Sequence, residues 1–160
     1  MQPIIKALTA KKLIGKRITM SLADNKVVSL WQSFMPRRKE IQNIVCTDLF
    51  SLQVYGKSFD FTQPSQVFDK WAAIEVTTFD VIPDGMETFE LVGGLYAVFL
   101  YKGLSTNASI FRYIFGEWLV TSQYLLDNRP HFEILGEKYK NNDPNSEEEI
   151  WIPIKPKNAI

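Results

Sequence analysis

The chain has 160 residues, of which 46% are hydrophobic, 13% aromatic and 22% charged, a composition typical of one folded globular domain. Lys and Arg together number 18, as do Asp and Glu, so the formal net charge is zero. This balance argues against a broad surface for nucleic acid or anionic membrane, because such a surface requires an excess of positive charge.

The first half of the chain predicts a strand, a helix and two further strands. Either Asp24 or Asn25 can cap the helix, whose apolar residues recur every three to four positions. Proline ends the helix because it lacks the backbone N–H that would continue it. The predicted elements are, in chain order, a strand at residues 11–21, a helix from residue 27 to Pro36, and strands at residues 49–56 and 70–81.

The second half predicts the same order after a turn at Asp84-Gly85. Thr106 or Asn107 can cap its helix. The predicted elements are a long strand or hairpin-like pair at residues 87–101, interrupted by Gly93-Gly94, a helix at residues 110–119, and strands at residues 131–137 and 148–154. We therefore expect an α+β fold with a mainly antiparallel sheet and one helix per half.

The two halves resemble each other at an offset of 80 residues. Three identities share this offset without a gap: Gly56 with Gly136, Pro64 with Pro144, and Trp71 with Trp151. Glycine, proline and tryptophan are residues that backbone geometry and packing constrain strongly, so we interpret the offset as a duplicated strand-helix-strand-strand unit. We expect a single domain over residues 1–160, with one repeat at about 5–82, the other at about 86–156, and a concave ligand site at their seam.

The repeats differ at Gln53, whose counterpart is Glu133. Alternation along the strand puts Phe132 and Ile134 on one face, which we expect to pack against the helices, and Glu133 on the other. A carboxylate there is either exposed to solvent or lies in a cleft between the halves. Burial in a cleft would raise its pKa.

Several aromatic residues are candidates for the wall of such a cleft. Trp118 follows the apolar stripe of the second helix, which also fits core packing. Rings around one acid would favour a cation, through the ring quadrupoles and the charge. The other candidates are Tyr55, Tyr96, Phe99 and Tyr124, and each also fits partly buried scaffold.

Other motifs indicate little further chemistry. One cysteine, Cys46, and one histidine, His131, leave no internal disulfide, no Cys-based zinc site and no His cluster, and we expect no cofactor. The acidic run at residues 147–149 fits a solvated strand entrance better than a metal site. The chain contains no apolar run near the ~20 residues of a membrane span, and its start is unlike a signal peptide, so we expect a cytoplasmic protein that is monomeric or weakly associating.

An ordered set of segments covers nearly the whole chain. The segments are Leu30-Trp31-Gln32-Ser33-Phe34, Ala72-Ala73-Ile74-Glu75-Val76, Ile82-Pro83-Asp84-Gly85-Met86, Gly94-Leu95-Tyr96-Ala97-Val98-Phe99 with Lys102-Gly103, Pro130-His131-Phe132-Glu133, and Glu149-Ile150-Trp151-Ile152-Pro153-Ile154. In this order they resemble the GyrI-like small-molecule-binding family, which also supplies effector-binding domains of AraC- and MerR-type activators.

The resemblance implies a duplicated fold with a central cleft in which Glu133, from the Pro-x-Phe-Glu motif, receives ligand. In multidrug-sensing relatives that acid receives lipophilic cations. In some stand-alone relatives a cleft glutamate and an aromatic residue are implicated in hydrolysing strained cyclopropane-containing natural products. Trp118 matches the family's helix tryptophan loosely. The 160 residues lack the DNA-binding domain of the regulators, so we expect no direct contact with nucleic acid.

Three functions follow as hypotheses. The first is a binding module for a lipophilic, cationic small molecule, with Glu133 supplying charge and Trp118, Tyr96, Phe99, Tyr55 and Tyr124 supplying apolar walls. The second is a hydrolase of strained electrophilic xenobiotics, with Glu133 as general base or nucleophile and Tyr96 or Trp118 as hydrogen-bond donor. The third is a partner of DNA gyrase or of a separate regulator. We favour the binding module.

Overall fold

A computed structural model describes residues 1–158. Nine strands and two main helical segments occur in chain order. The strands are β1 (Ile4–Leu8), β2 (Lys11–Met20), β3 (Ile44–Val54), β4 (Phe68–Val76), β5 (Glu87–Leu91), β6 (Gly94–Lys102), β7 (Tyr124–Leu126), β8 (His131–Leu135) and β9 (Glu147–Pro156). The first helical segment is α1 (Val27–Phe34) with a 3-10 continuation at Met35–Glu40, and the second is α2 (Ser109–Tyr113), a π-helical turn at Ile114–Trp118, and α3 (Leu119–Thr121).

The strands form an antiparallel sheet in the order β1-β6-β9-β8-β3-β4-β2-β5, and β7 pairs with the end of β9. The prediction of an α+β fold with a mainly antiparallel sheet and one helical segment per half is confirmed. Each half contributes three neighbouring strands, β2-β4-β3 and β8-β9-β6, which meet where β3 pairs with β8. Leu52 and Phe132, which are related by the offset of 80, lie directly opposite each other at that junction. The two repeats are therefore related by a local twofold axis that passes between β3 and β8.

The prediction of one long strand or a hairpin-like pair at residues 87–101 is wrong. β5, at the start of the second half, pairs with β2 of the first half. β1, at the start of the first half, pairs with β6 of the second half, and β6 also pairs with β9. The first strand of each half therefore joins the strands of the other half. A Cβ atom added at Gly93 would lie 2.6 Å from the carbonyl oxygen of Leu8, so the β5–β6 connection passes tightly against the end of β1. Only a residue without a side chain fits that approach. Sequence analysis also missed β1 and β7, which are short.

Both helical segments pack on the same face of the sheet. Leu30 and Phe34 of α1 form one core with residues of β2 and β4, and Ile110 and Ile114 form a second with residues of β6 and β9. A third core lies on the opposite face, because its strand residues alternate with those of the first two. It includes Leu52, Trp71, Tyr96, Phe132 and Trp151.

The expectation that Phe132 and Ile134 face the helices is therefore wrong. Both contribute to the core on the opposite face, where aromatic rings fill the curled sheet. Phe132 stacks on Trp151, with ring centroids 5.2 Å apart. Glu133 lies between them in sequence and therefore points to the helix face of the sheet. A ligand site that includes Glu133 must accordingly lie on the helix face and not on the opposite face.

Asn25 and Asn107, which the sequence suggested as N-caps, each lie one residue before the N-cap position. Asn25 Oδ1 accepts a hydrogen bond from the backbone N–H of Val27, and Asn107 Oδ1 accepts one from Ser109, each only two residues further along. These are Asx turns that precede the helices, and the N-cap positions themselves are Lys26 and Ala108, which make no side-chain cap.

Candidate ligand-binding cleft

Glu133 lies on the helix-facing surface of β3 and β8, between the two helical segments, and this surface is called the cleft below. It lies on β8, opposite Ser51 of β3 on one side and Ile150 of β9 on the other. The α1 segment packs over β2 and β4, and the second segment packs over β6 and β9. The two central strands, β3 and β8, therefore lie between the helices, and their polar side chains form the floor.

A hydrogen bond joins the two halves on this floor. Gln53 Nε2 donates to both carboxylate oxygens of Glu133, at 3.3 and 3.2 Å. These residues are counterparts at the offset of 80, so the pair straddles the local twofold relation. Gln53 Oε1 is buried and has no hydrogen-bond partner among the described residues. The floor thus presents an unused acceptor next to a carboxylate.

Two further ionisable side chains accompany Glu133. Lys70 of β4 lies opposite Gln53 and is only 7% exposed. Glu148 of β9 is partly buried on the same face. Burial lowers the pKa of Lys70, although the negative charges of Glu133 and Glu148 act to raise it. Two carboxyl groups therefore share the cleft with one amine.

Burial also changes the pKa of both acids. It raises the pKa of Glu133, against the opposing effects of the Lys70 charge and the Gln53 hydrogen bond. Burial, followed by repulsion from Glu133, raises the pKa of Glu148 to about 7. A carboxyl group that stays partly protonated near neutral pH can accept a cation or exchange a proton.

A cluster of aromatic side chains, called the cover below, lies beside this floor. Tyr55 makes edge or tilted contacts with Phe59, Phe61, Phe68 and His131, at centroid distances of 4.6 to 5.0 Å. Burial and the nearby Glu133 charge raise the pKa of its hydroxyl. Burial lowers the pKa of His131 to about 4, so its imidazole is neutral near pH 7.

The cover reaches from one half of the chain to the other. Phe61, in the loop between β3 and β4, stacks at 6.4 Å on Phe115 of the second helical segment. Both rings also lie 6.1 Å from His131. Phe61 is 51% exposed, so its ring forms an outer surface of the cover.

Of the five aromatic residues predicted to line the cleft, the structure brings Tyr55 to Glu133. Tyr96 lies in the core on the opposite face, where its hydroxyl donates a 2.7 Å hydrogen bond to the Pro130 carbonyl. Even-numbered residues of β6 point away from the helices, so Tyr96 lies on the face of the sheet opposite to Glu133.

The other three aromatic residues pack together beneath the second helical segment. Trp118 lies edge-on to Phe99, with a centroid distance of 5.2 Å, and stacks on Tyr124 at 6.3 Å. Trp118 is 9% exposed, and Phe99 is fully buried. Their contacts are those of a helix-to-sheet core beside the cleft, which was the alternative interpretation for each of them.

Sequence reasoning missed Lys70, Glu148, His131 and Phe61. A signal for two of them was present, because the offset pairs Lys70 with Ile150 and Phe68 with Glu148, and both pairs replace an apolar residue by a charged one. Glu148 was interpreted with its acidic neighbours as a solvated run. The alternation of β9 separates it from them, since Glu148 faces the cleft while Glu147 is exposed.

Two further features of the sheet surface are an exposed cysteine and a groove. Cys46 is exposed on β3. The groove, of about 420 Å³, runs along the ends of β6, β8 and β9 and is lined in part by Glu148. Among residues 1–158 no three His, Cys, Asp or Glu side chains are arranged to hold a metal ion. Over the same residues, no helix has the length and apolarity needed to cross a membrane.

The fold and the cleft agree with the family that the sequence matches. A model of the GyrI-like small molecule binding domain matches residues 1–155. The chain belongs to this family and is a GyrI-like small-molecule-binding domain.

One curated relative is the transcriptional regulator BrlR of Pseudomonas aeruginosa. The two are 28% identical over 147 residues, which cover 91% of this chain and 52% of BrlR. The chain thus spans about half the length of this relative.

Solved structures show the same fold at low sequence identity. SAV2435, solved bound to tetraphenylphosphonium, has a TM-score of 0.66 and 18% identity over 97% of this chain and 94% of that one. The EcmrR C-terminal domain has a TM-score of 0.71 and 13% identity, with 97% and 98% covered. A hydrolase encoded by lin2189 of Listeria innocua has a TM-score of 0.60 and 12% identity, with 96% and 92% covered.

Proposed function

We propose that this domain binds lipophilic cations in the cleft between its helical segments, with Glu133 as the counter-charge. The observation that carries the proposal is a partly buried carboxylate at the junction of the two halves, beside a cluster of aromatic rings. Lys70 balances only one of the two acids, Glu133 and Glu148. When both acids are ionised, the cleft has a net negative charge and attracts a cation.

The aromatic cover suits a large, soft cation. Ring faces attract a cation through their quadrupoles, and this attraction is strongest where water is excluded. Tyr55 lies near Glu133 and contacts four other rings, which together offer both charge and apolar surface. Burying the apolar part of a ligand contributes roughly 25 cal/mol per Å², less the cost of ordering it.

Entry of a ligand requires movement of the cover. Phe61 and Phe115 close the cleft from opposite halves, and Phe61 belongs to the loop at residues 56–67. We infer that a ligand takes the place of Phe61 against Phe115 and His131. The tetraphenylphosphonium complex of SAV2435 is consistent with this proposal at the level of the shared fold.

Isothermal titration calorimetry with tetraphenylphosphonium tests the proposal. Wild-type protein is expected to bind it, and Glu133→Gln is expected to weaken binding by about 10- to 100-fold, because the neutral amide keeps the shape and removes the charge. The matched control is Glu90→Gln, which neutralises an exposed acid on β5. Equal affinity of wild type and Glu133→Gln would show that the Glu133 charge does not contribute to binding.

Hydrolysis of a strained electrophile is a second candidate. The observation in its favour is the raised pKa of Glu133 beside the protonated Tyr55 hydroxyl. The carboxylate form of Glu133 would take a proton from water as the water oxygen bonds to the strained carbon. A ring C–C bond would break, its electron pair would pass to the conjugated carbonyl group of the substrate, and the Tyr55 hydroxyl would donate a hydrogen bond to that carbonyl oxygen. Tyr55 replaces the predicted donors Tyr96 and Trp118 in this scheme.

Turnover separates the two candidates. Purified protein is incubated with a cyclopropane-containing electrophile, and ring-opened product is measured by mass spectrometry. Product formation by wild type, with loss in both Glu133→Gln and Tyr55→Phe, would establish the hydrolase. Binding without product supports the binding module. The gyrase or regulator partner stays a prediction.

A further inference from the structure

We propose that Lys70 gives the cleft a second, positively charged pole, so that its preferred ligand is a lipophilic compound carrying both a cation and a carboxylate. This inference rests on the proposed function and specifies the ligand class of the same cleft. It starts from a difference between the halves, since the counterpart of Lys70 is Ile150. Ile150 packs in the core under the second helical segment.

The fold itself does not require a lysine at this position. Ile150 shows that an apolar residue packs well at the equivalent place in the other half, where it is 1% exposed. Lys70 is 7% exposed, so most of its side chain is withdrawn from water. Burial of an amine costs free energy unless other groups compensate for the lost hydration.

The surrounding protein compensates the amine only partly. Within residues 1–158, the Lys70 side chain donates no hydrogen bond, and no carboxylate oxygen lies within 4.0 Å of its nitrogen. Glu133 and Glu148 act on it through space. Since an ammonium group has three donors, Lys70 presents hydrogen-bonding capacity that the protein leaves unused.

The positive and negative groups are separated across the floor. Lys70 lies opposite Gln53 on the β4 side, and Gln53 bonds Glu133 on the β8 side. The two poles therefore belong to different halves of the domain. At neutral pH Glu148 is partly protonated, because its pKa is raised to about 7, and this leaves the Lys70 charge less compensated.

A ligand with two opposite charges matches this arrangement. Its cationic part would lie against Glu133 and the rings, and its carboxylate would accept hydrogen bonds from Lys70. A ligand carrying a cation alone satisfies the first pole and leaves the amine without a partner. The cleft is therefore expected to distinguish two compounds that differ only in a carboxylate.

Rhodamine 110 and rhodamine 123 provide that comparison, because the second is the methyl ester of the first. Calorimetric titrations at pH 7 are expected to show rhodamine 110 binding to wild-type protein about tenfold more tightly, since a charge-assisted hydrogen bond is lost in the ester. Lys70→Ile, which copies the counterpart residue, is expected to abolish or reverse the preference. The control Lys12→Ile removes an exposed lysine from β2 and is expected to retain it.

The outcomes distinguish this inference from the proposed function. Equal binding of the two dyes to wild type, or tighter binding of the ester, overturns the role of Lys70 and leaves cation binding standing. A preference that survives in Lys70→Ile also overturns it. Failure of wild type to bind rhodamine 123 and tetraphenylphosphonium overturns the proposed function itself. If circular dichroism shows that Lys70→Ile is unfolded, Lys70→Gln replaces it in the same titrations.

Discussion

The two halves share their packing and differ in the polar groups they bring to the cleft. Leu52 and Phe132 meet as counterparts, and Trp71 and Trp151 lie in the same core on the far face of the sheet. On the helix face, by contrast, Gln53 and Lys70 of the first half correspond to an acid and an isoleucine in the second. Packing constrains a duplicated core in both copies, while a single cleft needs each charge only once.

The loops between the last two strands of each half, β3–β4 and β8–β9, differ in the same way. The loop at residues 56–67 carries Phe59 and Phe61 over the cleft. In the loop at residues 136–146 the counterpart of Phe59 is Tyr139, whose hydroxyl accepts a hydrogen bond from Ser105 near the start of the second helical segment. One loop thus covers the cleft, and the other supports a helix.

The largest expected effect is a difference between the two helical segments in their contribution to the free energy of unfolding. Trp118→Ala should lower the free energy of unfolding by about 3–5 kcal/mol, because it leaves a cavity against Phe99. The counterpart change, Arg38→Ala, should cost less than about 1 kcal/mol. Urea denaturation of both variants measures the difference. Similar losses would show that the two segments contribute equally to the core.

An exchange of the central pair tests the twofold relation directly. Glu133→Gln should weaken tetraphenylphosphonium binding by about 10- to 100-fold, and the double variant Gln53→Glu with Glu133→Gln should recover much of the loss, because the carboxylate returns on the other strand. Calorimetric titration measures both. A double variant as weak as the single one would mean that the carboxylate acts only from its position on β8.

The pH dependence of stability tests the burial of Glu148. Its pKa of about 7 lies above the ordinary value, so the folded protein binds more protons than the unfolded chain, and this group makes stability fall as pH rises through the range from about 4.5 to 7. Glu148→Gln should therefore stabilise the protein by about 1–2 kcal/mol more at pH 8 than at pH 5, after allowance for its partial exposure.

The depressed pKa of His131, about 4, acts in the opposite direction. It makes stability rise with pH between about 4 and 6.5. Because His131 is present in both wild type and Glu148→Gln, comparison of their urea denaturation curves at each pH removes its contribution. A constant difference between pH 5 and pH 8 would place the Glu148 carboxyl in water.

The smallest expected effect concerns the covering loop. Phe61→Ala removes the ring that contacts Phe115, so association and dissociation of tetraphenylphosphonium should both accelerate by about threefold or more. The matched control is the counterpart change Asn141→Ala in the exposed part of the second loop, which should leave both rates unchanged. Stopped-flow fluorescence quenching measures them. Unaltered rates in Phe61→Ala would place ligand entry elsewhere.

Local signals in the sequence predicted several elements well. Alternating residues predicted β2 and β8, and helical spacing predicted both helical segments, with Pro36 following the end of α1. These features depend on neighbours within a few positions along the chain. The exchange of β1 and β5 between the halves escaped prediction, because the partners of a strand depend on contacts about 90 residues distant in sequence.

The candidate site was predicted in part for a related reason. The offset of 80 identified Gln53 and Glu133 as a meaningful difference, and they prove to be hydrogen-bonded to each other. Alternation correctly separated Phe132 from Glu133, but it could not say which of the two faces carries the helices. Phe132 was consequently expected to face the helices, whereas it packs in the core on the opposite face.

By itself, the sequence determined the 80-residue offset, the α+β class, the family resemblance and the difference between Gln53 and Glu133. All of these follow from residue types at fixed separations, which folding does not alter. The tertiary structure alone decided which face of β8 meets the helices, that Lys70 and Glu148 lie near Glu133, and that Phe61 contacts Phe115 of the other half. The physical reason is that curvature and strand pairing bring together side chains that share no local pattern, and burial then changes their charge.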